Sequence, residues 1–159
     1  MTVVTLTLPQ WSSWLAQLGK KLKPAALRGM HRGALESIAI LQRRTSDVGA
    51  VNTGQLKRSW KSQMFADGVA IYNVAPYSGV VEYGRRVGAQ QPPSDVIAKW
   101  AQRKLGVSAK EAKGLGFVIA RSIKKRGIKG RPILTGSLPK IEDAVFRGIQ
   151  EEVGRELAK

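Results

Sequence analysis

The chain has no cysteine, one histidine and few acidic residues, and each shortage excludes a class of site. Without cysteine it forms no disulfide and no Cys-ligated metal site. The paired carboxylates Glu142-Asp143 and Glu151-Glu152 lack the spacing typical of a metal or calcium site. We therefore interpret His31 as a surface or half-buried helix residue, and we expect no catalytic residue, no cofactor and no metal.

Long apolar runs are also missing. No stretch approaches the roughly 20 residues that a helix needs to cross a bilayer. The N-terminal segment has neither the basic nor the apolar part of a signal peptide. The apolar fraction of 43% in a chain of 159 residues is enough for one packed core. We expect an untagged protein with no membrane partner, made and used in a reducing cytoplasm.

What the chain has in excess is positive charge. Its 27 Lys and Arg residues outnumber 11 Asp and Glu residues, which gives a net charge of +16. The excess is uneven, because residues 92–130 contribute +8 and residues 1–44 contribute +6, whereas residues 131–159 are balanced. A surplus of this size favours a polyanionic neighbour, which is nucleic acid, an anionic membrane or an acidic protein face.

Hydrophobic periodicity predicts an α+β fold in a single domain, residues 1–159. A small, mostly antiparallel sheet is packed by a long N-terminal helix and a long C-terminal helix, and residues 88–128 form an inserted basic helical hairpin. The predicted elements are, in order, a strand over 3–8, a short helix ending at Gly19, a helix from Pro24 to about 46–49, strands over 56–65 and 69–73, a short helix closing at Gly84, helices over 94–105 and 108–127, a strand over 128–134 and a helix over 138–157.

Basic residues cluster at two places, just before the predicted insert and at its C-terminal end. Such clusters are typical of phosphate contacts, and the alternative is a solvated surface or an acidic protein partner. No zinc finger or recognition helix accompanies them, and aromatic residues are scarce around them apart from Trp100, so any contact would be directed at the backbone of the nucleic acid. The candidates for contact with DNA are Arg85, Arg86, Lys124, Lys125, Arg126 and Lys129.

Two tryptophans, Trp11 and Trp14, lie on one face of the short N-terminal helix. Aromatic side chains of this kind serve either as core residues or as anchors in an interface. We therefore name them as candidates for a contact between subunits, with packing in the protein's own core as the alternative.

Three short segments mark junctions between elements: Asn52–Ser59, Val81–Gly84 and Gly130–Leu134. Glycines suit turns with unusual backbone angles, and a proline suits an edge strand. In this order the segments resemble the neck and tail-completion proteins of long-tailed bacteriophages, the family that includes the phage lambda tail completion protein Z. The resemblance covers residues 24–84 and 128–158 and rests on the landmarks Thr53, Gly54, Glu82, Tyr83, Gly84, Arg131 and Pro132.

The resemblance implies a structural protein of the virion with no enzymatic activity. Such proteins are implied to form a ring of six copies between the portal–adaptor complex and the tail terminator or tail tube, assembled in the host cytoplasm. Genomic double-stranded DNA would pass through the ring. The alternatives are a sequence-independent DNA- or RNA-binding accessory protein and a tail-terminator ring protein.

Overall fold

The computed structural model describes the backbone from Leu8 to Lys159, with the side chains of Ser13 and of residues 16–159. About two thirds of the chain, 66%, is helical, and the α+β class is confirmed. The elements are α1 (Leu8–Asp47), α2 (Gln55–Arg58), β1 (Trp60–Met64), β2 (Val69–Asn73), α3 (Ser78–Tyr83), β3 (Gly84–Arg85), α4 (Ser94–Leu105), α5 (Ala109–Arg126), β4 (Ile128–Lys129), a 3₁₀ helix (Thr135–Ser137) and α6 (Leu138–Leu157).

The chain forms two compact units, and α1 contributes residues to both of them. Unit 1 contains residues 1–39, 62–71 and 139–159, and unit 2 contains residues 40–61 and 72–138. The predicted insert therefore belongs to unit 2. Among the described residues, no helix is both long and apolar enough to cross a membrane.

The N-terminal helix is longer than predicted. α1 runs without a break through Gly19 and Pro24, so the predicted stop at the first and start at the second are wrong. In a helix interior these residues cost about 1 and about 3 kcal/mol relative to alanine. The helix nevertheless continues through both residues, and Ala25, the residue after Pro24, is fully buried. The strand predicted over 3–8 lies outside the described residues except for Leu8, which begins α1.

In unit 1, α1 packs against α6 through glycines. A Cβ atom added to Gly29 would lie 2.5 Å from the carbonyl oxygen of Gly148, and one added to Gly33 would lie 2.5 Å from the Cα of Val145. Because the partner residue number falls as the α1 number rises, the two helices are antiparallel. Their backbones touch directly, which only small residues at the crossing allow.

In unit 2, α4 and α5 form the predicted hairpin, and small residues also join them. A Cβ atom on Gly116 would lie 2.5 Å from the carbonyl oxygen of Ser94 and 2.9 Å from the Cβ of Ala98. Helical periodicity predicts a buried stripe of Ile97, Trp100, Ala101 and Leu105 on α4, but only Ala101 of these is fully buried, and Trp100 and Leu105 are 37% and 54% exposed. A capping box starts α5, with Ser108 and Glu111 as its members. Ser94 is the first helical residue of α4.

Among the described residues the strands form two separate two-stranded sheets, β1 with β2 and β3 with β4. The segment before β1 contains a single helical turn, α2, where the sequence predicted a strand with a possible helical start. Trp60, at the start of β1, is buried and donates its indole N–H to the hydroxyl of Thr45 at 3.1 Å. In the second sheet the register is antiparallel, with Gly84 opposite Lys129.

The strand predicted over 128–134 is observed only as β4, because Glu82 binds the backbone N–H groups farther along this segment. The Glu82 carboxylate accepts hydrogen bonds from the backbone N–H groups of Ile133 (2.8 Å), Leu134 (3.0 Å) and Thr135 (2.9 Å), and from the Thr135 hydroxyl (2.7 Å). Partial burial alone would raise the pKa of Glu82, but these hydrogen bonds outweigh burial and lower the pKa. Glu82 therefore fixes the backbone that leads into the 3₁₀ helix and α6.

The other landmarks lie at turns. Gly54 caps α2 with φ of 76° and Gly84 follows α3 with φ of 78°, a region that favours glycine. A side chain on Gly84 would also collide with the carbonyl oxygen of Ile128. Arg131 donates a guanidinium N–H to the carbonyl oxygen of Gly49 at 2.8 Å. Two of the three landmark segments thus meet in unit 2, since Glu82 binds the backbone just beyond Pro132.

Candidate nucleic-acid interface

The two units differ sharply in charge. Unit 2 contains 18 Lys and Arg residues against 4 Asp and Glu residues, a net charge of +14. Unit 1 contains 9 against 7, a net charge of +2. Nearly all of the positive charge of the chain therefore belongs to one compact unit.

Five of the seven carboxylates of unit 1 pair with its cations. Glu152 lies 2.7 Å from Arg155, 3.5 Å from Arg28 and 3.7 Å from Arg32, and further pairs join the same helices. Of the four acids of unit 2, Glu82 binds backbone N–H groups and Glu111 closes the capping box of α5. Within the part of the chain that the structure describes, no Lys or Arg of unit 2 forms an ion pair.

Six of these cations, which we call the basic platform, were predicted from the sequence to contact DNA: Arg85, Arg86, Lys124, Lys125, Arg126 and Lys129. The fold brings their backbones together although 38 positions separate Arg86 from Lys124. Pairing of β3 with β4 joins the two ends of the insert, and the N–H of Gly88 donates to the carbonyl oxygen of Lys124 at 2.9 Å. The last turn of α5 thus lies beside the chain that leaves β3.

A glycine closes this junction. Gly127 follows α5 with φ of 72°, and a Cβ atom there would collide with the carbonyl oxygen of Arg85. Its N–H donates to the carbonyl oxygen of Ile123 at 2.8 Å, which ends the helix. The three cations of the last turn are stabilised there by the partial negative charge of the helix C-terminus. The backbone under the platform is therefore fixed, while five of its six side chains are exposed.

The six side chains are not equivalent. Five of them are exposed, whereas Arg85 is half-buried and donates to the carbonyl oxygen of Gln90. Arg85 therefore holds the loop that follows β3, and the exposed five remain available for phosphate groups. A platform of this kind attracts a polyanion through charge alone, since it presents no arrangement that would distinguish one base from another.

Sequence reasoning missed the exposed apolar residues beside the platform. Tyr83 is 76% exposed and Val87 is 66% exposed, and they flank β3 on its two sides. The one signal in the sequence was Gly84, which turns the chain immediately after the tyrosine. The side chains of Trp11 and Trp14 lie outside the described residues, so their assignment to a subunit contact stays a prediction.

His31, the single histidine, lies on α1 with its side chain exposed. Among the described residues, no group of three or more His, Asp and Glu side chains is placed to hold a metal ion. The candidate site in the described residues is the cationic surface of unit 2. Comparisons of this chain with protein-family models, with curated proteins and with solved structures found no match.

Proposed function

We propose that this protein is a structural component of a tailed-phage virion that forms a ring at the neck, joins head to tail and lets double-stranded DNA pass. The observation that carries the proposal is the net charge of +14 on unit 2, which no ion pair offsets among the described residues. The order of the three landmark segments supplies the class of protein, and it remains a resemblance.

The charge pattern suits a conduit. Duplex DNA carries one negative charge per about 1.7 Å of its axis, and a protein that neutralises its phosphates releases condensed counterions. Exposed Lys and Arg side chains that read no base attract the duplex without fixing its register. DNA that must move through a ring needs electrostatic attraction that does not depend on its sequence.

The DNA contact is tested with matched charge variants. Replacing Arg86, Lys124 and Lys125 by Gln removes three exposed cations from unit 2, and replacing Lys20, Lys21 and Lys23 by Gln removes three exposed cations from unit 1. We expect the first variant alone to weaken duplex binding, by on the order of tenfold at moderate salt. Its plot of log affinity against log salt should be shallower by roughly 0.9 for each phosphate that the variant no longer neutralises. Fluorescence anisotropy with a labelled random-sequence duplex measures both quantities.

An equal loss of affinity in the two triple variants would contradict the platform, because it would show that only total charge matters. A duplex whose affinity depends strongly on its sequence would contradict the same proposal. Far-UV circular dichroism of each variant confirms that the fold is intact.

The ring is tested by the mass of the pure protein and by its binding to tails. We expect light scattering to give a closed oligomer, six copies in the proposed form, and negative-stain images to show rings, alone or on the ends of purified phage tails. A strict monomer that binds duplex tightly and never associates with tails would overturn the neck assignment. That result would favour the alternative of a free DNA- or RNA-binding accessory protein, whereas rings on assembled tails that block further tube growth would favour a tail terminator.

A further inference from the structure

A groove in unit 2 adjoins the basic platform, with which it shares Lys129, and its lining includes none of the other five platform residues. It lies between the segment 49–56 and elements α3, α4 and β4, and it encloses about 560 Å³. We call it the α3–α4 groove. This volume is in the range of clefts that hold a small molecule or a cluster of side chains from a partner. Its apolar wall includes side chains that are at least one third exposed, which are Tyr77, Val96, Trp100 and Ile128.

The hairpin packing explains why these large apolar side chains are left uncovered. α4 turns Ala98 and Ala101 toward the interior, where the backbone of α5 approaches closely at Gly116. Val96 and Trp100 are four residues apart on another face of α4, and both line the groove. Small residues therefore close the hairpin, and the large apolar side chains of α4 face outward.

The rim of the groove is cationic. Arg103 and Lys104 come from the last turn of α4, and Lys129 and Arg131 come from β4 and the second residue after it. The Arg131 side chain is held in place by its hydrogen bond to Gly49. No acidic residue lines the groove, and none of these four cations forms an ion pair within the described part of the chain.

We propose that the α3–α4 groove binds an acidic amphipathic segment of a partner protein. Apolar side chains of the segment would fill the wall, where their removal from water favours binding. Its Asp and Glu side chains would pair with the four rim cations. Opposite charges of this kind speed association and select the partner, and the guanidinium groups of Arg103 and Arg131 suit carboxylates best.

The wall favours a protein segment over a nucleic acid. Single strands bind through aromatic side chains on which successive bases stack, set in a cationic groove. Here aliphatic residues dominate the wall, and only Tyr77 and Trp100 are aromatic. A second copy of the chain is a poor occupant, because four of the five acidic residues of its α6 already pair with cations of unit 1, namely Asp143, Glu151, Glu152 and Glu156.

The experiment selects peptides from a yeast-displayed random library with the full-length protein, then measures one selected, labelled peptide by anisotropy. We expect selection to enrich peptides in which Asp or Glu alternates with large apolar residues. Val96→Glu places a carboxylate in the wall and Arg103→Glu reverses a rim charge, and each should weaken the selected peptide by about tenfold or more. The matched controls Val118→Glu and Lys113→Glu change exposed residues of α5 that do not line the groove, and they should bind like the parent.

Three results would overturn the proposal. Enriched peptides that are basic or uncharged would exclude the rim as a partner for carboxylates. Acidic peptides that bind Val96→Glu and Arg103→Glu as well as the parent would place their site elsewhere. The groove would be assigned to nucleic acid if a labelled oligothymidylate binds the parent and displaces the peptide. Its binding would then have to be lost in Arg103→Glu and retained in Lys113→Glu. Because Val96 is 55% exposed, its replacement leaves the core untouched, and circular dichroism checks this.

Discussion

Two helix pairs in this molecule are built in the same way but differ in how their charges are compensated. α1 with α6 in unit 1, and α4 with α5 in unit 2, both approach through small residues until backbone atoms touch. The first pair surrounds its crossing with ion pairs between Arg and Glu side chains. The second pair has many cations and, in the described part of the chain, no ion pair.

This difference in ion pairing shows that the packing that stabilises a helix pair is independent of the charge that the pair exposes to solvent. Close packing through glycine and alanine holds both pairs, and exposed ion pairs add only about 0–1 kcal/mol each. Unit 2 therefore folds without neutralising its cations, although their mutual repulsion costs some stability. A surface that keeps an unfavourable charge is most simply explained by a partner that carries the opposite one.

The sharpest test of the packing is at the crossing in unit 1. Gly29→Ala would place a Cβ atom 2.5 Å from the carbonyl oxygen of Gly148 and from the Cα of Ile149, so the helices must separate. We expect a loss of about 3 kcal/mol in the free energy of unfolding. Gly19→Ala in the same helix meets nothing within 4 Å and should stabilise the protein by about 0.5–1 kcal/mol through helix propensity. Urea unfolding, monitored by circular dichroism, measures both changes in the free energy of unfolding. Equal changes in the two variants would contradict the close contact of α1 with α6 at Gly29.

The corresponding loss in the free energy of unfolding is expected to be somewhat smaller for the helix crossing in unit 2. Gly116→Ala would bring its Cβ within 2.5 Å of the carbonyl oxygen of Ser94 and 2.8 Å of the N–H nitrogen of Ala98. Because consecutive helices joined by a short loop can shift together, we expect a loss of about 2 kcal/mol. Gly114→Ala, one half-turn away, has open space and should stabilise α5 by about 0.5–1 kcal/mol. Urea unfolding curves of the two variants that coincide would show that this hairpin is loosely packed.

The sequence predicted elements well where local signals are strong. The hairpin strand 69–73, α5 with its capping box and α6 over 138–157 were identified from periodicity and caps. It failed at α1, because Gly19 and Pro24 signal a break and the helix runs through both. On α4 periodicity placed Ala101 correctly in the buried stripe but also placed Trp100 and Leu105 there, because it cannot show that Gly116 lets α5 approach the alanines of α4 closely. The six cations of the basic platform could be predicted from the sequence. That their two clusters lie side by side could not, because it depends on the pairing of β3 with β4.

The long-range role of Glu82 was also invisible in the sequence, and it can be tested by replacement. Glu82→Gln keeps the shape but loses the charge that four donors share, so we expect a loss of about 2 kcal/mol at neutral pH. The pKa of Glu82 is lowered in the folded protein from an ordinary value of 4.5. Its contribution is therefore complete above pH 4.5 and is lost as the pH falls through the lower folded pKa. Thermal unfolding at pH 7 and in acid should show the gap between parent and variant closing, and a constant gap would contradict this role.

The smallest expected effect concerns the ion pairs that distinguish unit 1. Glu152→Gln removes the carboxylate that contacts Arg28, Arg32 and Arg155, and its side chain is only 16% exposed. We expect a loss of about 1 kcal/mol at low salt that shrinks as salt screens the remaining charges. Glu142→Gln on the same helix removes an exposed carboxylate with no ion pair among the described residues, and it should change the free energy of unfolding by less. If both variants lose the same free energy of unfolding at every salt concentration, the ion pairs of Glu152 contribute no specific stability. The contrast between the two helix pairs would then concern only the exposed cations of unit 2.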